Sequence, residues 1–179
     1  TYQSSDLGQI TDVASFESTL EITDAGSITE INVSSLIIPH PYVGDLSATL
    51  TSPSGTVVQL FDGPGIPASN FGCDQADIDV SFNDAAGNTA ADFENTCDAT
   101  PPAIGGSFQA IDALATFNGE SMTGTWILTV FDSYVQADDG ILEEWSLEIC
   151  SGPVVCLDPD LPTLSDVTIC PGEEITLTV

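Results

Sequence analysis

Apolar side chains recur at every second position in several short segments of the chain. In these segments Val, Ile, Leu and Phe alternate with polar residues, and Gly, Pro, Asn and Asp separate one segment from the next. Such alternation is typical of half-buried β-strands, whereas helical periodicity is scarce. The segments predicted as strands are 18–22, 27–36, 45–51, 57–61, 78–82, 124–131 and 141–149.

A Ser-Pro-Ser-Gly sequence at 52–55 separates two of the predicted strands. Proline suits the first central position of a tight turn and glycine supplies positive φ, so 45–51 and 57–61 are predicted to form a hairpin. About seven or eight short strands over roughly 150 residues are typical of a β-sandwich. The sequence therefore predicts an all-β, jelly-roll-like antiparallel β-sandwich over residues 1–150.

The stretch from 61 to 108 is rich in Gly, Pro, Asp and Asn and contains Cys73 and Cys97. Loops this long inside a compact domain are usually functional, disordered or cross-linked. A Cys73–Cys97 disulfide would close a loop of about 25 residues, which the chain-entropy model values at roughly 3 kcal/mol. We expect this disulfide to replace a hydrophobic core that the segment lacks.

The composition changes after Cys150. Ser-Gly-Pro at 151–153 is typical of a linker, and the strand-like segment 175–179 follows a Cys-Pro-Gly turn. Residues 151–179 are therefore predicted to be a linker and the truncated beginning of a second, immunoglobulin-like β module. The pairing of Cys150, Cys156 and Cys170 stays open at this point.

The chain of 179 residues carries 28 Asp and Glu residues and no Lys or Arg, a formal net charge of −28. Nucleic acid and anionic membranes are excluded as direct partners, because proteins bind both through Lys and Arg. A hydrophobic content of 42% supplies enough apolar surface for a core and argues against a disordered acidic tail.

The cysteines lack the C-x-x-C spacing of zinc and redox motifs, and the chain has one histidine. This pattern favours an oxidising environment, and hence a secreted or cell-surface protein. No apolar run approaches the length of a membrane span. The chain opens at Thr1 without the basic segment of a signal peptide, which indicates a mature protein or an excised fragment.

Acidic residues at the predicted strand ends are the strongest chemical signal. Strand ends gather at one rim of a sandwich, and Ca²⁺ takes six to eight oxygen ligands from carboxylates, amides and carbonyls. With no basic side chain in the chain, a divalent cation is the natural counter-charge. We therefore predict Ca²⁺ ligands in a first group, Asp45, Asp132, Asp138 and Asp139.

A second acidic group lies in the long loop, where Asp77, Asp79 and Asp84 are predicted ligands beside Asp74 and Asn83. No EF-hand spacing supports this second group. The alternative for both groups is that each Asp caps a turn through the local backbone and faces water.

No catalytic constellation is predicted. His40 is the only imidazole, and Ser121 stands in a segment one residue too long for the G-x-S-x-G nucleophile elbow. We expect His40 to order the neighbouring Gly-Asp turn by hydrogen bonding. Trp126 and Trp145 alternate with polar residues and are expected in the core; the alternative is an exposed tryptophan that stacks on sugar.

Three motifs follow one another along the chain. They are HPYVGDL at 40–46 continuing into LTSPSGT at 50–56, GTWILTVFD at 124–132, and DGIL at 139–142 followed by WSL at 145–147. In this order they resemble the P domain, or Homo B domain, of subtilisin-like proprotein convertases and many bacterial secreted proteins. The resemblance covers roughly residues 25–150; Val43 replaces the family's usual arginine, and the disulfide loop is longer than in the simplest members.

The resemblance implies a sandwich that stabilises or assists a neighbouring domain and performs no chemistry itself. Together with the acidic rim, it predicts a non-catalytic, calcium-binding module of a large secreted or cell-surface bacterial protein, acting in adhesion or spacing. One alternative is an accessory domain of an upstream secreted protease. The other is a carbohydrate-binding module. The expected partners are neighbouring domains of the same polypeptide, with a surface glycan or protein as a further option.

Overall fold

The structure, a computed structural model, describes residues 1–66, 69–135 and 138–152. Its strands are β1 Tyr2–Gln3, β2 Gly8–Ile10, β3 Ser15–Ile22, β4 Ser27–Ile38, β5 Leu46–Thr51, β6 Val57–Asp62, β7 Ile78–Phe82, β8 Ile104–Phe108, β9 Gly124–Asp132, β10 Gly140–Leu142 and β11 Glu144–Gly152. The remaining elements are a short helix, α1, at Ala90–Asn95 and single 3-10 turns at Val43–Asp45 and Leu114–Phe117.

Two sheets form a sandwich. One has the strand order β1-β11-β4-β7-β8 and the other β3-β9-β5-β6, while β2 and β10 pair as a separate ribbon. The predicted all-β sandwich is confirmed, and so is the β5–β6 hairpin, in which Gly55 has a φ of 86°. One pairing departs from the antiparallel prediction, because β7 and β8 run parallel.

The core forms where inward-facing residues of the two sheets meet. Trp126, Leu128 and Val130 alternate along β9 and are fully buried, and Trp145 and Leu147 of β11 are equally inaccessible. The indole nitrogen of Trp126 donates to the carbonyl of Met122 at 3.0 Å, and that of Trp145 donates to Oγ of Ser18 at 2.6 Å. The predicted core positions of both tryptophans are confirmed, so neither ring is available to stack on a sugar.

The Cys73–Cys97 disulfide is present, but its loop does not lack a core. Helix α1 inserts Phe93 against Phe61 and Phe82, with ring centroids 5.0 and 5.5 Å away, and Phe108 meets it edge-on at 5.3 Å. The expectation that the disulfide replaces a core was therefore wrong.

One predicted strand is two strands in the structure. Segment 141–149 bends at Glu143, so β10 pairs with β2 while β11 pairs with β4. At its far end β11 continues through Ser151 and Gly152, which sequence assigned to a linker and which pair with Ile28 and Ser27. The rest of the predicted second module, with Cys156 and Cys170, lies outside the described residues.

Gly44 of the HPYVGDL motif marks a close approach of two backbones. Its amide donates to the carbonyl of Cys73 at 2.9 Å. A Cβ at this position would collide with the backbone nitrogen of Cys73 and lie 2.8 Å from the carbonyl carbon of Gly72. Backbone atoms cannot rotate away as a side chain can, so only glycine lets the 43–45 turn sit against the disulfide loop.

We predict that Gly44→Ala lowers the free energy of unfolding by about 1 to 3 kcal/mol, the usual cost of overpacking a closed site. Guanidinium denaturation measures the change. Gly87→Ala is the matched control, because no atom lies within 4 Å of the added methyl group. Equal stability of the two variants would contradict the close-approach argument.

Candidate metal centre

A buried histidine–aspartate pair lies at one end of the sandwich. His40 follows β4 and Asp132 ends β9; both side chains are fully buried, and Nε2 of His40 lies 3.2 Å from Oδ2 of Asp132. Nδ1 of His40 accepts the amide of Tyr42 at 3.1 Å, which leaves the proton on Nε2 to be donated to the carboxylate. The expectation that His40 orders the Gly-Asp turn is confirmed. Both ring nitrogens are occupied, so neither is free to activate a serine.

Two further carboxylates converge on Asp132. Asp12 stands in the turn after β2 and Asp138 stands just before β10. One carboxylate oxygen from each of the three aspartates lies within 4.8 Å of the others. We call this set, Asp12, Asp132 and Asp138, the acidic triad.

Two oxygens of the acidic triad lack any hydrogen-bond partner in the described part of the chain. These are Oδ1 of Asp12 and Oδ1 of Asp138, and both are shielded from solvent. By contrast, Oδ1 of Asp132 accepts the amide of Tyr134 at 3.0 Å. An unpartnered buried carboxylate oxygen is costly, so two of them in one acidic cluster favour a ligand of positive charge.

Burial, with electrostatic repulsion as a second cause, raises the pKa of two carboxyls at this rim. The pKa of Asp45 is raised to about 6, first by burial and then by Asp138 and Asp132, although His40 acts in the opposite direction. Burial also raises the pKa of Asp138, with Asp132 and Asp12 adding to the effect. Asp45 thus belongs to the same electrostatic environment as the acidic triad.

The acidic triad fits Ca²⁺. Two oxygens bound to one Ca²⁺ at 2.3 to 2.6 Å are at most about 5 Å apart, and the separations within the triad meet this limit. Carboxylates are the hard oxygen ligands that this ion prefers. Asp12, Asp132 and Asp138 would hold such an ion, with Asp45 nearby as additional negative charge.

Sequence reasoning assigned three of the four acidic residues at this rim and missed the fourth. Asp45, Asp132 and Asp138 of the predicted first group do come together. Asp139 is exposed and is not part of the acidic triad. Asp12 was missed because β2, the strand that carries it to the rim, has three residues and no alternation from which to predict it.

The residues of the second predicted group are dispersed. Asp77 accepts the amide of His40 at 3.1 Å, and Asp84 accepts the amides of Leu114 and Ala115 at 2.8 and 2.7 Å. Asp79 is exposed on β7. These contacts match the alternative in which the aspartates bond to nearby backbone, and a ligand role for the second group stays a prediction.

The fold and the site together define a β-sandwich module whose rim carries three converging carboxylates, one buried and two partly buried. The family model of the proprotein convertase P-domain matches residues 28–149, and the chain belongs to this family. The resemblance seen in the three motifs is thereby confirmed. The bacterial origin and the immunoglobulin-like continuation stay predictions. No helix of the described residues is long and apolar enough to span a membrane.

Solved structures similar to this chain include two of the Aeromonas sobria serine protease. One is a serine protease of Aeromonas sobria, with 20% sequence identity and a TM-score of 0.49 over 81% of this chain and 25% of that chain. The other is the complex of the Aeromonas sobria serine protease with its chaperone, again with 20% identity and a TM-score of 0.49, over 79% of this chain and 24% of the other. This chain thus spans about a quarter of the length of either. No curated protein matches it.

The raised pKa of Asp45 predicts an unusual pH dependence in the cation-free protein. A carboxyl whose pKa rises on folding, here from 3.8 to about 6, adds stability at low pH that is lost as the pH rises through 6. The melting temperature in chelator should therefore increase between pH 7 and pH 5. Asp45→Asn should flatten this increase, and Asp98→Asn, which changes an exposed carboxylate elsewhere, should not. A falling melting temperature over this range would contradict the assignment.

Proposed function

We propose that this chain is a non-catalytic, calcium-stabilised P domain of an extracellular protein, and that it serves as an accessory module to a neighbouring domain of the same polypeptide. The observation that carries the proposal is the acidic triad with its two unpartnered, buried oxygens. Family membership supports the accessory role, because P domains assist a neighbouring domain.

The charge of the chain supports a cation at this rim. The protein has no Lys or Arg that could pair with the acidic triad, and His40 is already engaged with Asp132 and Tyr42. Protonation and cation binding are the two remaining ways to neutralise clustered carboxylates. At neutral pH a divalent ion does so with less perturbation, because it leaves each carboxylate ionised.

An extracellular location is supported by the disulfide and by the composition. The Cys73–Cys97 bond is typical of proteins that fold in oxidising compartments. Extracellular fluids also supply millimolar Ca²⁺, which suffices for modules with dissociation constants of about 10⁻⁴ to 10⁻³ M. A chain without Lys and Arg offers no cleavage site to trypsin-like proteases, which suits a module working beside them.

We place the accessory role ahead of carbohydrate binding and adhesion. The carbohydrate alternative depended on an exposed aromatic ring beside calcium-held loops, and both tryptophans, its candidate rings, are fully buried. Adhesion was expected together with the immunoglobulin-like continuation at 151–179, most of which lies outside the described residues. A spacing role remains the nearest alternative, since a spacer would also benefit from a cation that stiffens its rim.

Calcium binding is tested by titration calorimetry together with melting curves. Ca²⁺ at 100 times its dissociation constant should stabilise the protein by about 2.7 kcal/mol, a rise of about 5 to 10 °C for a domain of this size. Asp12→Asn and Asp138→Asn should each abolish most of this shift. Asp79→Asn is the matched control, because it removes an exposed aspartate that belonged to the second predicted group. A shift lost in the control and kept in the other two variants would move the site to that group.

Scanning calorimetry of the full polypeptide separates an accessory module from a spacer. An accessory P domain should share an unfolding transition with its neighbour, so Asp138→Asn should lower the melting temperature of both domains in Ca²⁺. A spacer should unfold in a transition of its own. If Asp138→Asn leaves the melting temperature of the neighbouring domain unchanged, this would contradict the accessory role and favour spacing.

A further inference from the structure

The β2–β10 ribbon is a short pairing that stands outside the two sheets of the sandwich. It consists of three residue pairs, Ile10 opposite Gly140, Gln9 opposite Ile141, and Gly8 opposite Leu142. Strand β10 has a second backbone neighbour, because the amide of Ile141 donates to the carbonyl of Pro39 at 2.9 Å. In the described part of the chain, the backbone of β2 makes no hydrogen bond outside the ribbon.

Two aspartates of the acidic triad stand at the open end of this ribbon. The last pair is Ile10 opposite Gly140. Asp12 lies two residues after Ile10, and Asp138 lies two residues before Gly140. Their carboxylates approach within 4.8 Å. Like charges facing each other across two strands destabilise the pairing, and here each carboxylate also keeps an unpartnered buried oxygen.

The third member of the acidic triad anchors this end to the sandwich. Asp132 is the last residue of β9 and is fully buried. Its amide donates to the carbonyl of Ala14 at 3.2 Å, and the amide of Ala14 donates to the carbonyl of Thr11 at 3.2 Å. The turn that carries Asp12 is thus tied to Asp132 by backbone as well as by the proximity of the two carboxylates.

The turn itself is conformationally strained. Val13 has a φ of 53°, which is an outlier for a β-branched residue, and its side chain is half exposed. Apolar burial counteracts this strain and stabilises the ribbon, because Ile10 and Leu142 are fully buried. The ribbon is therefore held by a few buried contacts and opposed by repulsion and strain at one end.

From this juxtaposition we propose that Ca²⁺ acts as a clasp. Bound between Asp12, Asp132 and Asp138, it closes the β2–β10 ribbon and fixes residues 8–12 to the sandwich. The inference rests on the proposed function and specifies what the ion does there. Without the ion, the repulsion of Asp12 and Asp138 opens the ribbon while the two sheets remain folded. Calcium thus controls the local order of residues 8–12 and 138–142, whereas the two sheets fold without it.

Amide hydrogen exchange of the protein, with Ca²⁺ and with chelator, tests the clasp. If opening of the ribbon releases the ion, Ca²⁺ at 100 times its dissociation constant should slow exchange of residues 8–12 and 138–142 by about 100-fold. Amides of β9 should change much less, since they belong to the four-stranded sheet. Titration calorimetry on the same samples reports whether Ca²⁺ binds at all.

The double variant Asp12→Asn/Asp138→Asn tests the physical basis. It keeps the shape of both side chains and removes the repulsion, so it should lose Ca²⁺ binding and yet protect the ribbon in chelator. A ribbon that stays open in this variant would overturn the repulsion argument, provided tryptophan fluorescence shows a folded core. The double variant Asp79→Asn/Asp98→Asn, which removes two exposed carboxylates elsewhere, serves as the charge-matched control and should behave like the unsubstituted protein.

The failure of the clasp and the failure of the proposed function give different results. If calorimetry detects Ca²⁺ binding but exchange in residues 8–12 is the same with Ca²⁺ and chelator, the clasp is overturned and the calcium site stands. If calorimetry detects no binding to the unsubstituted protein, the calcium site is overturned and the clasp falls with it.

Discussion

Every carboxylate in this protein must be satisfied without a basic side chain. Backbone amides share this work with side-chain donors: Asp84 receives two amides at the 3-10 turn, Asp77 receives that of His40, and Asp92 closes a capping box with Thr89 at the start of α1. Each of these aspartates sits where the backbone leaves amides without a partner. The acidic triad differs, because its carboxylates lie close together and two of their oxygens have no hydrogen-bond partner among the described residues.

The single histidine of the chain contacts the acidic triad. His40 donates to Asp132 and holds Tyr42 through its other nitrogen, so it fixes one carboxylate of the acidic triad in orientation. Gly140 permits this arrangement, because a Cβ there would collide with the His40 ring and lie 2.9 Å from the carbonyl of Pro39. Two residues of different sequence motifs, His40 and Gly140, are therefore explained by a single close approach at the start of β10. The motifs encode the geometry of the rim as well as the strands that lead to it.

Sequence reasoning succeeded where apolar and polar residues alternate along a strand. It failed where an element has low strand propensity or too few residues to show a period. Segment 78–82 was predicted at its observed bounds because apolar and polar residues alternate throughout it. Strand β8 was missed because Gly105 and Gly106 at its centre have low strand propensity. The six residues of α1 are too few for helical periodicity, and the signal available was the capping box formed by Thr89 and Asp92.

The length and pattern of the strands also determined which aspartates of the site could be predicted from the sequence. Asp45, Asp132 and Asp138 were predictable because they border recognisable strands, and strand ends of a sandwich converge. Asp12 reaches the rim only through β2, whose pairing with β10 is a tertiary contact that no local pattern encodes. The family match begins at residue 28, yet β3 lies wholly before it and pairs with β9 along its full length. The N-terminal residues are thus part of the sandwich, and a cation site completed by Asp12 depends on a segment that the family pattern does not include.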